Sequence, residues 1–323
     1  MNMKSFILLS SAFILALGCS AAGAQQYPTK PVRLVVPYAP GGPVDTVGRL
    51  TAQNLTSKWG QQVIVDNRGG SGGALGTQLV VKAPPDGYTL LLGNSGPITV
   101  YPHLRKALSY DYERDLASAS FMVKSCMVLV AHPSLPTRTL QELVRLAKKQ
   151  PGALNYSSSG VGGLQHLGMV MLESFAGIKL VHVPYKGAAP ALADLISGHV
   201  QVQFNNVVGA LPHVKTGRLR ALGVSTATPS SVLPDVPPVA RTYPGFDIAS
   251  WMGIYAPAGT PKPIIDQITR DVAWALNVPE AKRRLTELGA EVVAGGPDAL
   301  TAYARSESAL FGKLVSAAGI PKE

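Results

Sequence analysis

The chain lacks what redox, metal and nucleotide enzymes need. It has two cysteines, Cys19 and Cys126, with no C-x-x-C pair. Its six histidines are dispersed and form no H-x-x-x-H pair, so nothing supports a metal site. No G-x-x-x-x-G-K-[ST] is present, and no complete G-x-G-x-x-G. A phosphate P-loop and a dinucleotide fingerprint are therefore both missing, and no cofactor is expected. Past residue 24 no apolar run is long enough to cross a bilayer. The 29 basic and 19 acidic residues give a formal net charge of +10. They are scattered, whereas nucleic-acid binders concentrate such charge on one element.

What is present begins with an export signal. Lys4 is the sole charge in the first 24 residues, and an apolar run at 6–17 is broken only by Ser10 and Ser11. Ala22-Gly23-Ala24 then gives the small-x-small pattern of a cleavage site, so residues 1–24 are read as a secretory signal peptide and set aside from the fold. Gly18-Cys19 resembles a lipobox, but Ala16 and Leu17 fit one poorly, and cleavage after Ala24 is expected. Removing Lys4 leaves 28 − 19 = +9 for the mature chain. That chain is expected in the periplasm, with Cys126 as a buried thiol and no internal disulfide. Its size of about 300 residues suits two domains, and 46% hydrophobic residues supply their cores.

Short β-branched runs alternate with helical periods. Strands are expected at 32–37, 63–66 and 89–92, each leading through a Gly-rich or Asn/Ser turn towards a helix. A second set follows a loop at 110–115, with strands at 128–131, 155–157, 180–184, 200–204 and 219–224. Helices fit at 163–176, 188–197 and 207–216. Thr139 with Glu142 forms a capping box before another helix. This repetition implies α/β units, each with a parallel sheet, though no sequence repeat links them. Residues 226–248 read as loop and 250–256 as a buried strand. Thr260-Pro261 opens a helix with Pro261 at its first position. Two more helices near 279–288 and 297–318 close the chain.

Parallel sheets bind ligands where strands end and helices begin. In Pro40-Gly41-Gly42-Pro43-Val44-Asp45, Gly42 as N-cap would place Asp45 at the third helical position, able to bond back to backbone N–H groups. The remaining N–H groups make an anion site reinforced by the helix dipole. A capped helix with no ligand is the equal alternative. Gly69-Gly70-Ser71-Gly72-Gly73 matches G-x-S-x-G, but Asn67 and Arg68 separate its serine from the strand. Gly93-Asn94-Ser95-Gly96 and the run from Ser157 through Ser158, Ser159, Gly160 and Gly163 to His166 offer hydroxyls and N–H groups for a carboxylate. His166 either donates to a ligand or caps its helix. Tyr185-Lys186-Gly187 offers a cation, and Asn205-Asn206 neutral amides. Tyr38, just before the first turn, and Gly72 complete the candidate ligand residues.

These motifs together resemble the TctC/Bug family, the extracytoplasmic solute receptors of tripartite tricarboxylate transporters. The markers are Tyr27-Pro28-Thr29-Lys30-Pro31, Pro40-Gly41-Gly42 with Asp45, Val65-Asp66-Asn67-Arg68, Pro85-Asp86-Gly87-Tyr88-Thr89-Leu90 and His132-Pro133-Ser134-Leu135-Pro136. His182-Val183-Pro184-Tyr185-Lys186-Gly187, Leu233-Pro234-Asp235-Val236-Pro237 and Ala256-Pro257-Ala258-Gly259-Thr260-Pro261 follow in order. The resemblance implies a two-lobed α/β receptor of type II-like, Venus-flytrap form with a mixed, mostly parallel sheet in each lobe. Residues 25–118 with 229–323 would form one lobe and 119–228 the other, with hinges near 116–124 and 220–228. It also implies an organic carboxylate ligand held at the Pro40–Asp45 turn largely through ordered water, with integral membrane transporter subunits as partners of a monomeric receptor. Two departures bear on the ligand. Gly163 stands where the family often has serine, and Asn205 where it often has aspartate. Without that carboxylate a ligand ammonium lacks a partner, so a simple or aromatic carboxylate is expected. A sensor presenting the same solute to a signalling receptor is the alternative, and a secreted esterase at Ser71 a remote third.

Overall fold

In the computed structural model, which describes residues 27–317 and 322, ten strands join in one mixed sheet in the order β2-β1-β3-β9-β4-β7-β5-β6, with β8 and β10 both pairing β4. The expected signal peptide and Cys19 lie outside the described residues. The first three strands are β1 (Val32–Val36), β2 (Val63–Asn67) and β3 (Thr89–Asn94). β1 pairs parallel with both β2 and β3. β5 (Asn155–Ser158), β6 (Val181–Pro184) and β7 (Val202–Asn206) repeat that arrangement, with β5 parallel to both neighbours. A topological repeat therefore exists without a sequence repeat. The antiparallel ladders all run through β9 (Ala249–Pro257) and β4 (Leu116–Ala131).

β4 is longer than expected. Residues 116–127, which include the expected hinge at 116–124, are strand continuous with the expected run at 128–131. Ser118, Ser120, Lys124 and Ser125 interrupt its apolar pattern, but β9 and β10 (Ala290–Gly295) flank it and satisfy its backbone. β10 was not expected at all, because only Ala290 of it is buried. β4 changes partners between Cys126 and Met127. Up to Cys126 it pairs β9 and β10, and from Met127 it pairs β7 and β8 (Arg220–Val224).

Nine helices of eight or more residues are described: α1 (Pro43–Trp59), α2 (Ala74–Val81), α3 (Leu140–Lys149), α4 (Leu164–Ala176), α5 (Ala188–Ile196), α6 (Val207–Lys215), α7 (Lys262–Asn277), α8 (Pro279–Glu287) and α9 (Pro297–Ala317). In α1 the expected stripe Val44, Val47, Thr51 and Leu55 is buried. A Cβ on Gly48 would lie 3.1 Å from Leu92 and 3.2 Å from Val36, so this glycine lets the helix press on β1 and β3. Thr139 caps α3 by accepting from Glu142 N, but Glu142 accepts from Arg138 N rather than from Thr139. Pro261 is the N-cap of α7, not its first helical residue.

Gly76 in α2 abuts the segment leading out of β1. A Cβ there would sit 2.8 Å from both Pro37 Cα and Arg68 O, and neither backbone atom can rotate away. Gly76→Ala is therefore expected to destabilise the protein by about 1–3 kcal/mol, read as a lower denaturant midpoint. An unchanged midpoint would show that this contact is looser than described.

Candidate functional site

The C-terminal ends of the two parallel strand groups face one another across a cavity of about 60 Å³. From the first group come Tyr38, Gly42, Pro43 and Val44 after β1, and Asn94 at the end of β3. From the second come Ser159, Leu164 and Gln165 after β5, Ala188 after β6 and Asn206 at the end of β7. Met127 of β4 and Ser250 and Met252 of β9 complete the wall. Among the described residues no Asp, Glu, Lys, Arg or His lines it.

The positive character of this cavity comes from helix ends. Gly42, Gly163, Gly187 and Asn206 are the N-caps of α1, α4, α5 and α6. At the first three no side chain caps the opening turn, so backbone N–H groups there remain available to a ligand. Only Asn206 uses its side chain locally, accepting from Val208 N. Four helix dipoles thus place their positive ends at one small space. Each contributes about 0.3–1 kcal/mol towards an anion at a surface and up to ~2 kcal/mol where partly buried.

The two strand groups touch around this cavity at residues without bulk. A Cβ on Gly160 would lie 3.5 Å from Gly72 Cα, and one on Gly187 3.4 Å from Ala39 Cβ. A Cβ on Gly42 would lie 4.0 Å from Ala188. Gly72, Gly160 and Gly41 therefore belong to the seam between the groups, not to the lining.

The other sequence-selected residues fall into distinct settings. Tyr38 donates to Asn94 Oδ1 at 3.1 Å. Burial pushes its hydroxyl up to about 12, so it remains a protonated, neutral donor. Pro40 is exposed beside the cavity turn. Asp45 is buried but turned away from the cavity. Its carboxylate accepts from Gly41 N (2.9 Å), Arg49 Nε (2.9 Å) and Asn67 Nδ2 (2.9 Å). Burial alone would raise its pKa, yet those partners outweigh it and hold the group below the usual carboxylate range. Asp45 braces the turn by bonding back to backbone, as expected, and its carboxylate does not line the space. Ser95 donates to the buried Glu307 at 3.1 Å, and Gly96 packs under the Tyr38 hydroxyl.

In the second group Ser158 is fully buried, paired with His182 Nε2 at 2.6 Å and with Gly160. His166 accepts from Gly162 N at 3.1 Å, which ties down its own helix start. Its ring stacks on His182 at 4.1 Å, and His182 on Tyr156 at 4.9 Å. Lys186 is exposed and outside the lining. Asn205 donates to Gln203, its Oδ1 is buried without a partner, and it lies outside the lining, which Asn206 joins.

Sequence reasoning found the turns but selected their glycines and polar groups. It passed over Pro43, Val44, Leu164, Gln165 and Ala188, the first helical residues beyond each turn. Their position next to an N-cap was the available signal. Met127, Ser250 and Met252 had none, because crossing strands bring them in. Ser71 sits in a short 3-10 turn with φ +48°, and no histidine hydrogen bond to it exists among the described residues. A larger crevice of about 760 Å³ is lined by Lys124, Thr226–Ser231, Tyr303 and Glu307 among others. No helix start and none of the selected residues faces it, so the smaller cavity is the candidate site. No group of three or more potential metal ligands occurs among the described residues, and no described helix is long and apolar enough to cross a membrane.

The fold and this arrangement of strand ends define a solute-binding receptor of the periplasmic binding protein class. Residues 47–320 match the tripartite tricarboxylate transporter family receptor model, and the chain belongs to that family. Protein BugT of Bordetella pertussis is 33% identical over 310 residues, covering 95% of each chain. The periplasmic binding protein BugD superposes with a TM-score of 0.89 at 33% identity, over 92% of this chain and 100% of that one. Rpa4515 of R. palustris, solved with adipate, gives 0.88 at 33% identity over 91% and 99%. MatC of Rhodopseudomonas palustris, solved with malate, gives 0.86 at 31% over 90% and 100%. As a member of this receptor family, the chain is a receptor rather than an enzyme.

The stacked imidazoles make a pH prediction. Burial pushes His166 down to about 4, and burial together with His166 pushes His182 down to about 3, from an ordinary 6.5. Folded pKa values below the unfolded value mean that the unfolded chain binds more protons. This stability is intact above pH 6.5 and is lost progressively as pH falls towards 4. His182→Gln removes one titrating ring. Its melting temperature is expected to fall less between pH 6.5 and pH 4 than that of the wild type, and parallel curves would contradict the assignment.

Proposed function

We propose that the protein captures a small organic carboxylate in the periplasm and presents it to integral membrane subunits of a tripartite tricarboxylate-type transporter. The observation that carries this reading is the convergence of four helix N-termini, three of them uncapped, on a cavity with no charged side chain. An anion is the one solute that such dipoles favour without a counter-charge. The adipate and malate held by two structural relatives are both carboxylates. An ammonium on the ligand would find no carboxylate in the lining, which supports a ligand without an amino group.

The chain acts as a monomer of two lobes. One lobe holds β1 to β3, β9, β10 and β4 up to Cys126, and the other holds β5 to β8 with the rest of β4. This division follows the change of ladder partners in β4, a few residues beyond the boundary expected at 118/119. The second crossing lies beside it, where Ser225 N donates to Met127 O at 2.8 Å and Ile248 N to Ser225 O at 3.0 Å. Opening about these crossings would part the seam and admit the ligand.

The experiment is a thermal-shift screen of organic acids against protein stripped of copurified ligand by unfolding and refolding. At least one carboxylate should raise the melting temperature in a concentration-dependent way, and a failure of every organic anion would refute the reading. A variant sharpens it. Gly42 has an ordinary φ of −82°, and a Cβ there meets nothing closer than 3.9 Å. Gly42→Leu should fold normally and fill the seam, weakening the best acid by at least about tenfold, or 1.4 kcal/mol. Unchanged affinity in calorimetry would place the ligand elsewhere.

A further inference from the structure

One buried carboxyl group holds the wall of the cavity from behind. Asn94 of β3 and Met252 of β9 are ladder partners, and both line the cavity, as does Ser250. Trp251 lies between Ser250 and Met252, so strand alternation puts its ring on the opposite face of the sheet. There its indole donates to Glu307 of α9. Glu307 also bonds Ser95, the residue after Asn94, and Thr99, one turn further on. Its three partners thus belong to the two segments that carry Asn94, Ser250 and Met252.

The geometry of this cluster calls for a proton on Glu307. Four contacts converge: Ser95 Oγ with Oε1 at 3.1 Å, Thr99 Oγ1 with Oε2 at 2.6 Å, Trp251 Nε1 with Oε2 at 2.5 Å, and Thr99 Oγ1 with Ser95 O at 2.9 Å. Each hydroxyl and the indole carries one hydrogen, so the three side chains cannot fill all four contacts. A proton on Oε2 supplies the fourth. It donates to Thr99 Oγ1, whose own hydrogen is then free for Ser95 O. Burial acts in the same direction and pushes the Glu307 carboxyl up to about 7, against its hydrogen bonds and the charge of Lys124. Glu307 is 7% exposed and lines the larger crevice, so its proton can exchange with solvent.

Building on the carboxylate reading of the cavity, we propose that Glu307 is a positioning residue of the solute site whose side-chain proton belongs to the binding-competent form, so that the receptor takes up a proton together with its carboxylate. Ionised, Glu307 would leave one of the four contacts unfilled and loosen the β3 end against β9. Its charge would also stand behind a wall built to receive an anion. Binding of the carboxylate then favours the protonated acid, and by reciprocity the proton favours the carboxylate. The other groups around Glu307 do not replace it in this role. Tyr303 on its own helix and Tyr255 on β9 are pushed up by burial and stay neutral. Lys124 on β4 lies over the Tyr303 ring at 4.9 Å, and Asp247, Lys282 and Glu291 line the crevice rather than the cavity. His166 and His182 are pushed down to about 4 and about 3 and are neutral where Glu307 titrates.

The test is calorimetry on the stripped protein with malate, adipate, propionate and benzoate, at about pH 6 and about pH 8.5, in pairs of buffers that differ in ionisation enthalpy. These acids are ionised at both values, which lie either side of the Glu307 titration. The tightest of them should bind about fivefold or more tighter at the lower pH, and between the two values the buffer pairs should report proton uptake on binding. Glu307→Gln, which cannot ionise, should lose both the pH dependence and the uptake. Lys124→Gln removes a cation outside the cavity lining. It should move the midpoint of the affinity profile to higher pH and leave the low-pH affinity unchanged. A wild-type affinity that does not fall with pH, with no uptake, overturns the proposal and leaves the carboxylate reading standing. Uptake that persists in Glu307→Gln assigns the proton to another group and overturns it as well. If that variant does not fold, the wild-type and Lys124→Gln profiles decide, and an unmoved midpoint contradicts the role of Glu307. If none of the acids binds at either pH, the proposal falls, and failure of the wider organic-acid screen takes the carboxylate reading with it.

Discussion

A parallel strand followed by a helix delivers the helix N-terminus at the strand's C-terminal edge, and a sheet whose order reverses leaves a gap between two such edges. In this chain β1 and β5 are each the centre of a three-strand parallel group, and the two groups face one another. The starts of α1, α4, α5 and α6 must then meet. Their backbone N–H groups and dipoles form a positive site that needs no lysine or arginine. Charge is supplied by geometry, and the wall can stay neutral and partly apolar.

Other features serve that meeting. Glycine and alanine line the seam at Gly42, Gly72, Gly160, Gly187 and Ala188, because any larger side chain would hold the groups apart. Asp45 fixes the first turn from behind through Gly41, Arg49 and Asn67. His166 secures the α4 start through Gly162 and is locked by its stack on His182. Several polar residues that look like ligand groups in the sequence are therefore braces for the backbone that lines the site.

The parallel groups were legible because each strand is a short apolar run ending in a conspicuous turn. The first half of β4 was not, since Ser118, Ser120 and Lys124 break its pattern and only pairing with β9 and β10 makes it a strand. β10 lacked a signal for the complementary reason, being mostly half-exposed. At the site the turns were legible and the facing residues only in part. Tyr38, Gly42, Asn94 and Ser159 were selected and line the cavity. Asn205 was preferred over Asn206, a choice that depends on strand phase, which a two-residue amide pair does not reveal. Gln165 was missed because an amide in a first helical turn looks like any solvated residue until its surroundings are known.

Backbone amide chemical shifts, followed by nuclear magnetic resonance while a binding organic acid is titrated in, test the central claim most directly. The amides of Val44, Leu164, Gln165 and Ala188, one or more from each of three uncapped helix starts, should shift together and saturate at one ligand concentration. Shifts confined to residues 226–231 and the larger crevice, with those helix starts unmoved, would contradict it.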